Sequence, residues 1–431
     1  MNYYVKDFGA IGDGKTLNTS AIQAAIDKCF ENGGGSVVIS DGTYMTGTIV
    51  LKDNVDLHLE ASGRLLGSPK CGIYVDVEDT TKRRDLWAKV KEYGDYPDPD
   101  KKHVNKELLP RFRGSALIFA DEARNVSITG MGVIDANGDA FIEKIESPTG
   151  HLPYQRIDAP TPPRVVFFTG CENIRIEDVT MVNQPGGWSY WIHDCDYVTV
   201  DRIKINARVD YPNNDGVHIN CSRNVTVSNC CINCGDDCIV VRANSISLKE
   251  NKVCEKVTVT NCNLTSHACG IRIGWLNDGT IRNCTFSNIV MTDTVMGISV
   301  YLPTSRPSDY GRESTLIENL SFNNIVMDNI FSYPIRIEPS DCETTHVTAI
   351  RNLYFSDIHA RALRLPIITG TEKCSISNIR FSSCSFEVLE PPAEGYFESL
   401  GILNWKIPDP PSVVIKHVKG LSVNDTEFIS Y

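Results

Sequence analysis

Asn224-Val-Thr-Val-Ser-Asn-Cys230 returns further along the chain, barely altered, as Lys256-Val-Thr-Val-Thr-Asn-Cys262. Shorter echoes of the same phrase run outward in both directions. Before it come Asn125-Val-Ser-Ile128, Asn173-Ile-Arg-Ile176 and Tyr197-Val-Thr-Val200. After it come Asn319-Leu-Ser-Phe322, Asn352-Leu-Tyr-Phe355, Asn378-Ile-Arg-Phe381 and Gly420-Leu-Ser-Val423. Each echo is a short β-branched run of period two, bounded by Asn, Asp or Gly, which is the pattern of a strand with one face inward. Many intervals are roughly 22 to 33 residues, the scale of one solenoid coil. Leucine-rich repeats share that scale but need a Leu-x-x-Leu-x-Leu frame and a helix in each repeat, and neither is present. The expectation is an all-β solenoid of stacked parallel coils, in which no single repeat is stable alone.

The ends and interruptions fit that scheme. Thr19 to Phe30 reads as an amphipathic helix with Ile22, Ala25, Ile26 and Cys29 on one face, capped by Asn18 or Thr19. Gly33-Gly34-Gly35 stops it; no Lys-Ser/Thr follows, so the run is not a phosphate loop. Such a helix would cover the open end of the solenoid. Residues 70–113 and Thr304 to Glu313 break the repeat and read as inserted loops. The whole is read as one β-helix domain over 1–431: cap and first coils 1–69, inserted region 70–113, main coils 114–431.

Composition narrows the function. A net charge of -12 over 431 residues disfavours nucleic acid and anionic lipid as partners. It gives no overall attraction to a polyanion, so an acidic substrate must be held by local basic residues. No apolar run approaches the length of a membrane span. Met1 to Ala10 lacks the basic-then-apolar pattern of a secretory signal, so the chain is expected to be cytoplasmic, or secreted with its signal already removed. The sixteen Cys include Cys230, Cys231, Cys234 and Cys238, whose spacing resembles a zinc cluster. Recurrence in Asn-Cys pairs at Cys230, Cys262 and Cys284 favours interior stacking without metal.

The chemistry-bearing signal is Asn213-Asn214-Asp215-Gly216 followed by Gly235-Asp236-Asp237-Cys238. Asp215 and Asp236 are roughly 21 residues apart, close to one coil. A one-coil offset stacks side chains near 4.8 Å apart, so Asp215, Asp236 and Asp237 would share one outer patch. Carboxylates that close cannot all stay ionised, and a proton kept on one makes an acid beside a base. Calcium is the rival use of such a trio.

These motifs resemble those of glycoside hydrolase family 28, the polygalacturonases and their exo-acting relatives. So do Val5-Lys-Asp-Phe-Gly-Ala-Ile-Gly-Asp-Gly14, Gly33-Gly-Gly-Ser-Val-Val38, Pro163-Arg-Val-Val-Phe-Phe168 and Pro185-Gly-Gly-Trp188. The resemblance implies a right-handed parallel β-helix, no cofactor or metal, and an inverting hydrolysis of an oligosaccharide or polysaccharide. Asp236 would protonate the glycosidic oxygen, Asp215 and Asp237 would activate water, and Asn213 would position the sugar. Inverting enzymes are expected to hold acid and base roughly 6.5 to 9.5 Å apart.

Two motifs depart from the family. Its Gly-His-Gly aligns with Ser266-His-Ala-Cys-Gly-Ile-Arg-Ile-Gly274, which puts Cys269 in the place of the His; His267, two positions earlier, is the candidate substitute. Its Arg-Ile-Lys carboxylate clamp aligns with Met296-Gly-Ile-Ser-Val-Tyr301, which puts Ser299 and Tyr301 at the basic positions. Arg242 and Arg272 are candidates to hold a carboxylate instead, since a guanidinium can do so in bidentate fashion. Otherwise Tyr301 stacks on a less charged ring. The reading is an exo-acting hydrolase of a galacturonic-acid-containing or rhamnogalacturonan-type oligosaccharide. The alternatives are a β-helix polysaccharide lyase or a non-catalytic carbohydrate-binding solenoid.

Overall fold

The structure, a computed structural model, describes residues 1–70, 74, 116–157, 164–245, 248, 250–275, 278–302, 314–340, 347–407 and 412–430. All but the first residue and Tyr74 of the expected inserted region 70–113, and the whole of Thr304 to Glu313, lie outside them.

The echoes are strands, and they stack. A 22-stranded sheet and an 11-stranded sheet wind together along the chain. Pairing between coils is parallel throughout, and a small antiparallel hairpin joins Ile142–Lys144 to Tyr154–Arg156. Register is vertical. Val126, Ile174, Val198, Val225, Val257, Cys284, Leu320, Leu353 and Ile379 form one buried ladder through nine rungs, which Leu421 extends, exposed, in the last coil. A second ladder stacks Phe286, Phe322, Phe355 and Phe381, with ring centroids 4.9 to 5.0 Å apart. That spacing is set by the strand repeat and matches the offset-stacked range for aromatic pairs, so backbone and side chains agree.

The Asn that opens so many repeats has a backbone cause. Each coil turns a corner through one residue in the left-handed region, which Asn tolerates better than other non-glycine residues. Asn54, Asn125, Asn173, Asn224, Asn283, Asn319, Asn352 and Asn378 all have φ between 53° and 60°. Their amides then bond up the stack: Asn352 donates to Asn319 Oδ1 at 2.8 Å and accepts from Asn378 at 2.7 Å. Lys256 and Tyr197 hold the same corner without either advantage, at φ 57° and 54°.

The expected capping helix is Thr19–Glu31, with Ile22, Ala25, Ile26 and Cys29 buried against the first coils. The expected capping bond differs. Asn18 occupies the N-cap, but its side chain accepts from Ile11 N–H and donates to Thr16 O, pinning the preceding loop. Thr19 Oγ1 instead accepts from Gly47 N–H. The glycine stop holds: Gly34 has φ 116°, and a Cβ there would lie 2.5 Å from Asn54 O.

Among the described residues the cysteines are free thiols, all buried except Cys231. Cys231 faces outward while Cys230 and Cys234 face inward, so the C-x-x-C does not converge on one point. Cys230 and Cys262 occupy equivalent positions of adjacent coils. Cys284 does not join them: it lies over Val257, and the rung above Cys262 is Ile289.

Replacing Asn352 by Ala removes two ladder bonds and the left-handed preference, and should destabilise by about 1–3 kcal/mol. Lys256→Asn should do the opposite, raising the thermal midpoint through a gain of about 1 kcal/mol. Equal midpoints for both variants in a thermal melt would contradict this account of the corners.

Candidate active site

The strands Val217–Asn220 and Ile239–Arg242 are adjacent rungs of the 11-stranded sheet, paired Val217 to Ile239. Just before each strand the chain carries its carboxylates. Gly216 N–H donates to Asp237 O at 2.9 Å, and Val217 N–H to Cys238 O at 2.8 Å. The residue above Asp215 is therefore Asp237, one position beyond the offset expected from the spacing. Asp236 steps to the side on the tight turn. All three still converge: one carboxylate oxygen of each lies within 4.8 Å of the others. Asp215 and Asp237 are buried at 4% and 5% exposure, and Asp236 is half-buried.

Close approach explains the glycines of the motif. A Cβ at Gly216 would lie 2.3 Å from Cys238 O, and one at Gly235 would lie 2.5 Å from Tyr211 O. Asn214, fully buried, locks the two coils: its Oδ1 accepts from Gly235 N–H at 2.7 Å and its Nδ2 donates to Arg208 O at 2.6 Å. Asn213 is the outward member, at φ 51°. It accepts from Arg156 Nη2 at 3.2 Å and lies 3.5 Å from Asp236 Oδ2.

Asp237 has a cation of its own. Arg272 donates to it through both Nε and Nη2, a bidentate pair in a setting only 14% and 7% exposed on its two sides. Burial alone would lower the Arg272 guanidinium, and Asp237 more than offsets that, holding it above its usual value. Cys269 completes the arrangement. Its N–H donates to Asp237 Oδ1 at 3.1 Å, and its buried thiol, pushed up by desolvation, accepts from Arg272 Nη2.

The other expected binding residues scatter. Arg242 donates to the fully buried Asp278 at 2.6 Å, which turns it away from a role as a free clamp. His267, half-buried and lowered by burial, faces Val209 and Asp210 rather than the carboxylates. Tyr301 has the Arg336 guanidinium 4.1 Å over its ring and the Trp275 edge at 5.9 Å, so one ring face is already covered. Trp275 in turn carries Arg272 at 4.6 Å.

Sequence reasoning passed over His218, Trp188 and Arg164, which sit around Asp215. His218 Nδ1 lies 3.7 Å from Asp215 Oδ2, and its ring stacks 3.7 Å from Trp188. Arg164 lies over Trp188 at 4.0 Å and over Trp191 at 4.3 Å. The available signal was alternation: Val217 and Ile219 point inward, so His218 faces the side on which the carboxylates were expected.

Burial, then Arg242, Arg164, His193 and Arg272, hold the His218 imidazole well below its ordinary value. In the unfolded chain it binds a proton below about pH 6.5, whereas in the folded chain it stays neutral. Stability should therefore be lost as pH falls below about 6.5, with His218 contributing up to about 1.4 kcal/mol per pH unit. Melts between pH 5 and 7 should show this slope, and His218→Phe should flatten it.

Comparison with known proteins agrees with the geometry. The sequence pattern of Glycosyl hydrolases family 28 matches residues 110–385, and that of Rhamnogalacturonase A/epimerase, pectate lyase-like, matches residues 3–69. A probable polygalacturonase of Vitis vinifera is 29% identical over 241 residues, covering 55% of this chain and 43% of that one. An exopolygalacturonase of Zea mays is 22% identical, covering 75% of this chain and 76% of that one. The chain spans about half the length of the first curated relatives it matches. Among solved structures, an exopolygalacturonase from Thermotoga maritima superposes with TM-score 0.67 at 21% identity, covering 90% of this chain and 87% of that one. A family 28 exopolygalacturonase of Yersinia enterocolitica gives 0.63 at 21% identity, covering 98% and 78%. These likenesses carry the fold, a right-handed parallel β-helix. With a family pattern running through both carboxylate motifs and most of the coils, the chain belongs to glycosyl hydrolases family 28.

Proposed function

We propose that the protein is an inverting, exo-acting hydrolase of a pectin-derived acidic oligosaccharide, of galacturonic-acid-containing or rhamnogalacturonan type. The observation that carries this reading is the asymmetry among three converging carboxylates. Asp237 is paired with Arg272, which holds its carboxylate in place beside Asp215, where the two can orient an attacking water. Asp236 lies at the side, half-buried on the turn with Asn213, where a protonated acid can meet a glycosidic oxygen. Asp236 is thus the general acid, and Asp215 with Asp237 the base.

The spacing differs from the sequence-based expectation. Carboxylate oxygens within 4.8 Å are closer than the roughly 6.5 to 9.5 Å expected between acid and base, so family membership rather than spacing supports inversion.

Support for chain-end attack comes from a wall beside Asn213. The hairpin Ile142–Lys144/Tyr154–Arg156 carries Arg156 to Asn213. Its tip is tied to the C-terminal segment: Asn404 Nδ2 donates to Pro148 O and Gly150 O, and Trp405 packs edge-on to His151 at 5.1 Å. A wall there shortens the cleft on one side. For the carboxylate of an acidic sugar, the described residues offer Arg156 beside Asn213, Arg272 through its remaining Nη1, and Arg336 beyond Tyr301. Tyr301 offers a ring edge to the sugar.

A calcium-dependent lyase is the competing use of the trio, since the three carboxylates are close enough to share an ion. The Arg272 guanidinium already compensates Asp237, and its positive charge disfavours a divalent cation at the same oxygens.

Asp236→Asn should lower kcat by about 10²–10⁴-fold on an oligogalacturonide or rhamnogalacturonan fragment that the wild type cleaves, with the melting curve unchanged. NMR of the first product should show inverted anomeric configuration and one small sugar released from the start. Full activity of Asp236→Asn, or a product with an unsaturated-uronide absorbance that a chelator abolishes, would remove the hydrolase assignment.

A further inference from the structure

On the outer face of the 11-stranded sheet, one row of side chains runs Phe119, Phe167, Trp191, His218, Val240, Arg272 and Ser299. Three coils of large aromatic rings give way to an imidazole at the coil that carries Asp215. His218 is 3% exposed, and its Nδ1 makes no hydrogen bond. A buried polar edge without a partner is uncommon, and a residue chosen for packing alone would continue the aromatic row. The nearest anion across that edge is Asp215, at 3.7 Å from Nδ1 to Oδ2.

We propose that His218 is a positioning residue for Asp215: its Nδ1–H edge fixes which carboxylate oxygen of Asp215 faces the attacking water. The inference rests on the reading of Asp215 as part of the water-activating pair.

The ring is held for that task from several sides. Trp188 stacks on it at 3.7 Å with an interplanar angle of 28°. Arg164 backs Trp188 at 4.0 Å. Ser189 N–H donates to Asp215 O at 2.8 Å, so the strand that carries Trp188 also holds the backbone of Asp215. The charged and titratable groups that bear on the ring are Asp215, Arg164, Arg242, Arg272 and His193. Four of them oppose an imidazolium, so the ring stays neutral and carries one N–H. A facing carboxylate selects the tautomer with that proton on Nδ1.

At 3.7 Å the contact is longer than a hydrogen bond, which needs about 2.7–3.2 Å. Catalytic hydrogen bonds in unliganded sites are often long and tighten in the bound complex, and a shift of roughly half an ångström suffices. Asp237 is already fixed by Arg272 and the Cys269 N–H. With His218 closing on Asp215, a side chain of the outer row bears on each member of the base pair, and the water between them meets two oriented acceptors.

The test separates ring from nitrogen. His218→Phe keeps an aromatic ring on Trp188 and removes Nδ1; His218→Asn restores an amide N–H near that position. On the substrate cleaved by the wild type, His218→Phe should lower kcat about 10- to 100-fold with KM within about twofold. His218→Asn should recover to within about fivefold of wild type. Because His218 acts through Asp215, the double variant His218→Phe/Asp215→Asn should be no slower than Asp215→Asn alone. Wild-type kcat in His218→Phe overturns the inference, as does a His218→Asn variant as slow as His218→Phe. If Asp215→Asn itself keeps wild-type kcat, the underlying reading of Asp215 fails instead.

Discussion

Among the described residues, each strand inside the stack is bonded to the coil below and the coil above, so a residue's neighbours are fixed about 4.8 Å away in both directions. That constraint propagates. A side chain that suits one coil must suit the next, which is why Phe stacks on Phe and β-branched residues on β-branched residues. It also explains the corners. A left-handed residue in one coil faces a left-handed residue in the next, and Asn satisfies both the backbone and the amide ladder. Where Tyr197 or Lys256 stands instead, the stack carries the strain because the rungs around it leave no other path.

The same constraint concentrates charge. In most folds three carboxylates would drift apart to lower their repulsion. Here two adjacent coils with fused backbones hold Asp215 over Asp237, and glycines at 216 and 235 let the coils approach that closely. The repulsion is met locally by Arg272 on the next rung rather than by separation. That arrangement marks this chain off from the family pattern it resembles. Cys269 stands where the family has a histidine, and together with Arg272 it anchors Asp237. The basic clamp of the family's fourth motif gives way to Ser299 and Tyr301, with a cation returning one coil later at Arg336.

Much of this was readable in the chain. Recurrent Asn-led strands announced stacked coils, and the helix from Thr19 with its glycine stop announced the cap. The Asp motifs, one coil apart, announced a shared patch. The errors were of one kind. Spacing put Asp236 over Asp215, but the strand register puts Asp237 there. Cys284 looked like a continuation of Cys230 and Cys262, yet it occupies another ladder. Asn18 takes the expected N-cap position, but its side chain pins the preceding loop instead of the helix. Arg242 was expected near a substrate carboxylate, and its Nε donates to Asp278.

By itself the sequence determined the coil, its period, its corners and the chemical types that line the outer face. Those follow from local backbone preference and from alternation, which act over a few residues. Only the tertiary structure decided the register to the single residue, and with it which carboxylate stands over which and what each side chain touches. A shift of one residue exchanges the inner and outer faces of a strand, and that shift is set by packing and by turn geometry summed over whole coils. His218 shows the difference. Its place on the outer face was legible from alternation, but its approach to Asp215 and its stacking on Trp188, one coil away, are set by the register between coils.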